Sequence, residues 1–247
     1  MGKLTLKPEL SVIIPFYNEE SNVIPLLEEL TEALKKLKTT YEIICINDGS
    51  IDSTVSKITY FRDKHNPGVR LISFKKNAGL TAVFHAGFRF ARGKYFLTLD
   101  GDRQNDPADI ARFFSLRKRY DLVIGIRKRR EDNWVRRLSS RVANGIRNFL
   151  TDDNIIDSAC AFKLYRSSFL KNLPLFKGLH RFFPTLCKMR GAKVKQLTVN
   201  HRPRVAGIAK YGVLNRIFVS FFDCLVVAWM KKRKFHYSLD KKNCDLS

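Results

Sequence analysis

Short apolar runs alternate with stretches of helical periodicity over the first half of this chain, and this alternation restricts its fold more than any other feature. The apolar runs are residues 10–15, 41–46, 69–74, 95–99 and 121–125. Each has the length and composition of a buried strand, and the segments between them repeat apolar residues at amphipathic-helix spacing. Strands that alternate with helices in this way predict an α/β fold with a doubly wound, mainly parallel sheet.

The length fits one large domain or a domain plus an appendage, and the composition is ample for a buried core. The chain has 247 residues, of which 45% are hydrophobic and 12% aromatic. Its five cysteines are scattered and form no CxxC pair, which argues against both a disulfide framework and a zinc site. The amino terminus has no apolar segment of the signal-peptide type. We therefore expect a reducing, cytosolic environment.

The charge balance predicts an anionic partner. Lysine and arginine number 46 against 23 aspartates and glutamates, so the net charge is +23. Such a surface attracts nucleic acid, an anionic membrane surface or phosphorylated substrates. We set nucleic acid aside, because no recognised binding motif is present and the aromatic residues lie in apolar runs. The basic residues crowding 127–147 form either a solvated helix face or a segment that grips phosphate oxygens with guanidinium groups.

Two carboxylates, Asp100 and Asp102, follow the fourth predicted strand. The carboxyl edge of a parallel sheet is where such folds bind ligands, and a divalent ion can bridge carboxylates there to substrate phosphates. Alone, the triplet is better explained as a polar turn. Two other polar strand ends favour a site instead: residues 15–19 (Pro-Phe-Tyr-Asn-Glu) and residues 47–50 (Asn-Asp-Gly-Ser). Within the first of these, Asn18 is placed to cap the following helix.

The second half of the chain is less regular. Asp157 lies in the apolar segment 155–162, and a buried carboxylate costs several kcal/mol unless paired, so it is either well hydrogen-bonded or functional. Residues 180–184 (His-Arg-Phe-Phe-Pro) open a helix, and residues 193–199 read as a strand. The basic loop at 201–207 contains Gly and Pro and suits a mobile lid.

The most apolar run, residues 217–230, is shorter than the roughly 20 residues that span a bilayer and contains Asp223. Trp229 lies near its end, and the basic cluster 231–234 follows directly. This arrangement suits a helix in the membrane interface, although a core helix packed on the domain explains the apolar residues nearly as well.

The three strand-end motifs, in this order and spacing, resemble the family 2 inverting glycosyltransferases, whose fold is the Rossmann-like GT-A type. More narrowly, the chain is similar to dolichyl- and polyprenyl-phosphate sugar synthases. The narrower resemblance is carried by Gln104, Gly125-Ile126-Arg127, Trp134 with Arg136, residues 140–144, His180-Arg181-Phe182-Phe183-Pro184, residues 204–207 and Lys210-Tyr211. It covers roughly residues 9–212. It implies a GT-A domain at 1–212, which leaves 213–247 as a membrane-interface helix with a basic tail.

The resemblance implies a nucleotide-sugar site at the strand ends. The implied donor-binding residues are Pro15, Tyr17, Glu19, Asp48, Asp100, Asp102, Arg204 and Lys210. Asp100, Asp102 and Gln104 form the implied metal site, in which Mg²⁺ or Mn²⁺ neutralises the diphosphate leaving group.

The resemblance also implies an acceptor site, in which Arg127, Arg136 and Ser140 bind a lipid phosphate. A phosphate monoester is already ionised, so cations that align its oxygen with the anomeric carbon suffice without a base. Asp157 matches a family carboxylate near the acceptor and is either a base or an orienting group. The implied catalytic residues are therefore Asp102, Gln104, Arg127 and Asp157.

Three departures from the family pattern qualify this resemblance. Asn47 replaces a frequent Asp before Asp48, Ala209 replaces a Ser before Lys210, and no full-length transmembrane helix follows. The implied activity is transfer from a GDP- or UDP-sugar to dolichyl or undecaprenyl phosphate. The implied location is peripheral or monotopic, on the cytoplasmic membrane face, with a membrane partner protein or a second copy as further partners. The alternative is a soluble family 2 enzyme that glycosylates a saccharide or protein hydroxyl.

Overall fold

A computed structural model describes residues 7–127, 145, 147–173, 176–203 and 214–233 of the chain. In this part, seven strands form one sheet in the order β3-β2-β1-β4-β6-β5-β7. The strands are β1 Leu10–Phe16, β2 Tyr41–Asn47, β3 Val69–Ser73, β4 Tyr95–Thr98, β5 Leu122–Arg127, β6 Lys163–Arg166 and β7 Val194–Val199. Neighbouring strands are parallel except at β6, which is antiparallel to both β4 and β5.

Helices cover both faces of the sheet. The helices whose bounds the structure gives are α1 Glu20–Lys35, α2 Thr54–Lys64, α3 Leu80–Phe90, α4 Ile110–Ser115, α5 Phe183–Met189 and α6 Leu214–Lys232, and residues 147–151 are also helical. Buried residues of α1, α2 and α4 join one hydrophobic cluster, and those of α3, α5 and α6 join the other. Alternate residues of β1 enter opposite clusters, since Val12 and Ile14 belong to the first and Ile13 to the second. The sheet is therefore doubly wound, as the alternation of elements predicts.

The predicted strands of the first half are all present, but two details differ from expectation. Strand β6 was not predicted. Asn18 does not cap α1, because Glu19 occupies the N-cap position and the Asn18 side chain accepts a hydrogen bond from the Ile51 backbone at 2.9 Å. Asn18 has a φ of 49°, so the backbone turns sharply here and the side chain is directed to the neighbouring loop.

Strand β6 has a direct consequence for the site. It pairs with β4 in antiparallel register, with Thr98 opposite Lys163. The segment that leads into β6 therefore enters the sheet at the edge where β4 ends. This brings Asp157, which precedes β6, to the edge that carries Asp100 and Asp102.

Helix α6 packs on the domain with one face and leaves the other exposed. Cys224 and Val227 are buried, whereas the side chains of Phe222 and Trp229 are 64% and 61% exposed. Among the helices described, none combines the length and apolar content that crossing a bilayer requires. The membrane contact of this helix and a domain boundary at residue 212 remain predictions.

Candidate active site

A cavity of about 190 Å³ lies at the carboxyl ends of β1, β2 and β4. Its lining residues are Pro15, Phe16, Tyr17, Glu19, Asp48, Leu80, Val83, Asp100, Gly101 and Asp102. Six of the predicted donor-binding residues thus surround one space, while Arg204 and Lys210 lie outside the described residues. Sequence reasoning missed the apolar wall that Leu80 and Val83 of α3 supply.

The loops after β1 and β2 are held together by hydrogen bonds that cross between them. The backbone N–H groups of Asn18 and Glu19 donate to the hydroxyls of Ser50 and Thr54, each at 2.9 Å. Asp52 accepts from the Glu20 and Thr54 backbones at 3.1 and 3.0 Å. Although partial burial opposes ionisation, a hydrogen bond from the Thr54 side chain and these backbone hydrogen bonds outweigh it and lower the pKa of Asp52. The rim of the cavity is therefore a cross-linked pair of loops.

Asp48 links the cavity to the loop that precedes α3. Its two carboxylate oxygens accept hydrogen bonds from the Asn77 side chain at 2.9 Å and from the backbones of Ala78 and Gly79 at 2.7 and 3.0 Å. Asp48 thus fixes the start of α3, and with it the position of Leu80. These backbone partners could not be read from the local sequence around Asp48.

The Asp100-Gly101-Asp102 turn is tightly constrained. A Cβ on Gly101 would lie 2.6 Å from the Pro15 carbonyl oxygen, so only glycine lets the turn approach β1 this closely. The buried Asn105 side chain accepts a hydrogen bond from the Asp100 backbone at 3.0 Å, and Asp102 accepts one from the Gln104 backbone at 3.1 Å. Asn105 is a supporting residue that the sequence motif did not reveal.

The chemistry of this turn fits a divalent cation. Asp100 and Asp102 line the cavity, and Mg²⁺ is commonly held by one or two carboxylates together with substrate phosphates. In the described ranges, no group of three or more His, Cys, Asp or Glu side chains is arranged to hold a metal. The Gln104 amide is directed to the Arg202 carbonyl at 3.4 Å and does not line the cavity, so its metal contact remains a prediction.

Glu29 of α1 anchors the turn from the opposite side. It accepts hydrogen bonds from Arg103 at 2.7 Å and from Arg202 at 2.5 Å. Partial burial alone would raise the pKa of Glu29, but the hydrogen bonds and charges of these two arginines outweigh it and lower the pKa. The Arg202 backbone also donates to the Gln104 carbonyl at 2.9 Å. The first residues of the basic loop predicted as a lid are therefore held against the turn that carries Asp100 and Asp102.

On the other side of β4, the structure brings together Arg127 and Asp157. Arg127 Nε and Nη2 donate to the two oxygens of Asp157 at 2.8 and 2.9 Å. The Asp157 side chain is 5% exposed and that of Arg127 is 19% exposed. Burial opposes the charge on Arg127, but the hydrogen bonds and charge of Asp157 outweigh it and raise the pKa. Arg136 and Ser140, the other predicted acceptor residues, lie outside the described residues.

The turn that carries Asp157 is fixed to the sheet by two residues that sequence reasoning missed. The buried Lys163 Nζ donates to the carbonyls of Ser158 and Cys160, and Thr98 Oγ1 donates to the Ala161 carbonyl at 2.6 Å. Burial lowers the pKa of Lys163. Strand β4 thus carries the two predicted metal carboxylates at its end and holds the Asp157 turn along its side.

Solved structures with the same fold include nucleotide-sugar enzymes. Glucosyl-3-phosphoglycerate synthase from Mycobacterium tuberculosis, in complex with Mn²⁺ and UDP-glucose, superposes with a TM-score of 0.65 at 13% identity over 91% of this chain and 79% of that one. A mannosyltransferase from Pyrobaculum calidifontis, in complex with GDP-mannose and Mn²⁺, gives 0.59 at 17% identity over 95% and 67%. At these identities the likeness establishes the fold.

Closer relatives share more of the sequence. A dodecaprenyl-phosphate galacturonate synthase from Rhizobium johnstonii is 34% identical over 231 residues, or 92% of this chain and 68% of the relative. An undecaprenyl-phosphate 4-deoxy-4-formamido-L-arabinose transferase from Edwardsiella ictaluri is 32% identical over 209 residues, or 84% and 64%. The chain thus spans about two thirds of the length of these relatives. The glycosyl transferase family 2 profile matches residues 11–173, and this protein belongs to that family.

Proposed function

We propose that this protein is an inverting glycosyltransferase that moves a sugar from a GDP- or UDP-sugar to a polyprenyl phosphate at the cytoplasmic face of a membrane. The observation that carries the proposal is the placement of two distinct sites beside β4. One is the cavity with its carboxylate turn, and the other is the Arg127–Asp157 pair. The two relatives, named for dodecaprenyl phosphate and undecaprenyl phosphate, support this acceptor class.

The cavity is the proposed donor site. Leu80 and Val83 offer an apolar wall for a nucleobase, and the rim residues Tyr17, Glu19 and Asp48 offer polar groups for base and ribose. Arg204 and Lys210 are proposed to engage the donor phosphates. Mg²⁺ or Mn²⁺ would be held by Asp100 and Asp102, with Gln104 as a proposed third ligand. When bound, the ion would neutralise the negative charge that develops on the diphosphate leaving group.

Arg127 and Asp157 are the proposed centre of the acceptor site, where Arg136 and Ser140 complete the phosphate contacts. Both oxygens of Asp157 accept hydrogen bonds from Arg127, so we assign this carboxylate an orienting role. It holds the guanidinium in one position, and the remaining guanidinium hydrogens are available to an acceptor phosphate. A phosphate oxygen is already a nucleophile near neutral pH, which removes the need for a general base. A hydroxyl acceptor would need one, and this favours the lipid-phosphate reading.

Helix α6 is the proposed membrane contact. Its exposed face carries Phe221, Phe222, Leu225, Val226 and Trp229. The basic residues 231–234 follow at its end. An apolar helix face with a terminal aromatic residue and a basic cluster suits the headgroup region of an anionic bilayer.

A transfer assay tests the proposed function. Full-length protein is first screened by thermal shift against UDP- and GDP-sugars with Mn²⁺, including UDP-galacturonate. Sugar nucleotides that stabilise the protein are then supplied in radiolabelled form with undecaprenyl phosphate in vesicles or with soluble saccharide acceptors. Label in a lipid-linked product supports the proposal. Label only in the saccharide products, or no lipid-linked product across the donor panel, contradicts it.

A further inference from the structure

Asp223, the one acidic residue of α6, forms an ion pair with Arg181 of the 180–184 motif. Arg181 Nη2 donates to Asp223 Oδ2 at 2.8 Å. The Asp223 side chain is 11% exposed, and Cys224 and Val227 of the same helix are buried. A charged pair at such a packed contact holds the helix in one orientation, because sliding or rotating the helix would leave the buried Asp223 carboxylate without its partner.

The turn before Arg181 is shaped around this pair. Gly178 has a φ of 101°, and a Cβ there would lie 2.7 Å from Asp223 Oδ2 and 2.9 Å from Arg181 Nη2. Arg181 Nε also donates to the Gly178 carbonyl at 3.3 Å. Only glycine combines this backbone conformation with the space that the ion pair needs.

From the same turn, hydrogen bonds lead to the donor cavity. The Gly178 backbone donates to Thr81 Oγ1 at 3.1 Å, and Thr81 Oγ1 is hydrogen-bonded to His180 Nδ1 at 2.9 Å. Thr81 lies in the first turn of α3, next to Leu80 of the cavity wall and two residues after Gly79, whose N–H binds Asp48. Helix α6 is therefore connected to the proposed donor site through three consecutive contacts: Asp223 with Arg181, Arg181 with Gly178, and Gly178 with Thr81.

A second contact fixes the other end of α6. Lys231 Nζ donates to the Thr151 carbonyl at 3.0 Å and to Asp152 at 3.1 Å. Residues 151 and 152 precede the turn that carries Asp157. Asp223 and Lys231 thus attach α6 to the domain at two points, near the two ends of the part of the helix whose side chains are described. Two contacts define the angle between α6 and the domain, and the exposed aromatic face of α6 points away from the domain.

We propose that Arg181 and Asp223 are positioning residues for a membrane-presented acceptor, and we call them the Arg181–Asp223 latch. This inference rests on the proposed function. The latch fixes the angle between the lipid-contacting face of α6 and the catalytic domain. It thereby sets the height at which the Arg127–Asp157 pair meets a phosphate held at the headgroup level. An acceptor free in solution finds the site without this alignment.

The test compares two acceptors in one set of variants. Asp223→Asn and Arg181→Ala break the charged pair, Arg181→Lys retains its charge, and Asp63→Asn breaks an exposed ion pair on α2 as the matched control. Initial rates are measured on undecaprenyl phosphate in anionic vesicles and on the short-chain, water-soluble citronellyl phosphate. Breaking the latch is expected to lower the rate on vesicles at least about tenfold, because small misplacements of reacting groups cost large factors in rate. The rate on citronellyl phosphate, measured at saturating donor, should stay close to wild type, and Arg181→Lys should recover part of the loss on vesicles.

Equal losses of rate on both acceptors would show that the pair is only a structural contact. Unchanged rates on vesicles in the variants that break the pair would contradict the proposed positioning role. Hydrogen exchange on the full chain gives a readout that does not need turnover. Asp223→Asn should speed amide exchange in α6 and in the first turn of α3, and unchanged exchange in both would contradict the inference. If wild-type protein glycosylates neither acceptor, the proposed function fails, while the exchange data still decide whether the latch couples the two helices.

Discussion

Arg127 donates its Nε and Nη2 hydrogens to the two carboxylate oxygens of Asp157, at 2.8 and 2.9 Å. Two parallel hydrogen bonds between planar groups fix the relative orientation of both side chains. The pair therefore acts as one unit at the end of β5. A substitution of either member tests the proposed acceptor site as a whole.

Asp157→Asn should lower kcat on the proposed lipid acceptor with little effect on donor binding, because neither Asp157 nor Arg127 lines the proposed donor cavity. Misalignment of one reacting group costs up to about 100-fold in rate. Isothermal titration with nucleoside diphosphate and Mn²⁺ measures donor binding, and initial rates over a pH series measure turnover. An orienting carboxylate leaves the shape of the pH–rate profile unchanged. The acidic limb would instead disappear in the variant if Asp157 were a general base.

Asp102→Ala should abolish turnover and the metal-dependent part of donor binding. Loss of a residue that only supports a metal ligand already costs about 10–100-fold, so removing the proposed ligand itself should cost at least the upper figure. Titration of nucleoside diphosphate with and without Mn²⁺ measures this. The control is Asp63→Asn, which removes an exposed carboxylate on α2. Activity in Asp102→Ala that still rises with added metal would refute the assignment.

Gly101→Ala should weaken both stability and donor binding, because the new methyl group would lie 2.6 Å from the Pro15 carbonyl oxygen and 2.8 Å from the Phe16 ring. Overpacking of this kind costs about 1–3 kcal/mol in free energy of unfolding. The matched control is Gly145→Ala, since this residue is exposed and a Cβ there meets no atom of the described residues within 4 Å. Urea denaturation of the two variants compares them directly, and equal midpoints would show that the turn can move away from β1.

Glu29→Gln should flatten the pH dependence of stability in acid. The pKa of Glu29 is lowered in the folded protein, so its contribution is fully present above the unfolded value of 4.5 and is lost as pH falls through the lowered pKa. The gap between wild type and variant, about 1 kcal/mol for partly exposed pairs, should therefore close between pH 4.5 and strongly acidic conditions. Urea denaturation at several pH values measures it. Glu28→Gln, an exposed neighbour on α1, should track the wild type throughout.

Phe222→Ser and Trp229→Ser should weaken binding to anionic vesicles without changing the fold, because both side chains are more than half exposed. Burying a large apolar side chain contributes about 1.5–3 kcal/mol, so each substitution should lower vesicle affinity at least about tenfold. Sedimentation with vesicles that contain anionic lipid measures it. Tyr60→Ser on α2 removes an aromatic residue of similar exposure away from α6 and should bind as wild type does. Equal binding by all variants would place the membrane contact elsewhere.

The first half of the fold could be predicted because its strands and helices have uninterrupted local patterns. Strand β6 could not, because a buried lysine opens it and Lys163 satisfies its charge with the carbonyls of Ser158 and Cys160, which only the folded turn supplies. Asn18 was misassigned for a related reason. Its side chain has the right chemistry for a helix cap, but its partner is the Ile51 backbone, 33 residues away in the chain.

Some residues of the candidate site could likewise be predicted from the sequence, and others could not. Residues that form motifs at strand ends, such as Tyr17, Asp48 and Asp102, were found because strand ends of a parallel sheet meet at one edge. Supporting residues such as Asn105 and Lys163 were missed, because their roles depend on backbone groups that have no sequence signal.

The insertion of β6 between β4 and β5 separates the two proposed sites within the sheet, and they also come from different parts of the chain. The described lining of the proposed donor cavity comes from residues 15–102, whereas the Arg127–Asp157 pair comes from β5 and the segment before β6. A chimera joined between residues 103 and 121 would therefore exchange the proposed acceptor pair as a block. Every described donor-lining residue would keep its native neighbours along the chain, which makes this connection a natural crossover point for redirecting such an enzyme to a different acceptor.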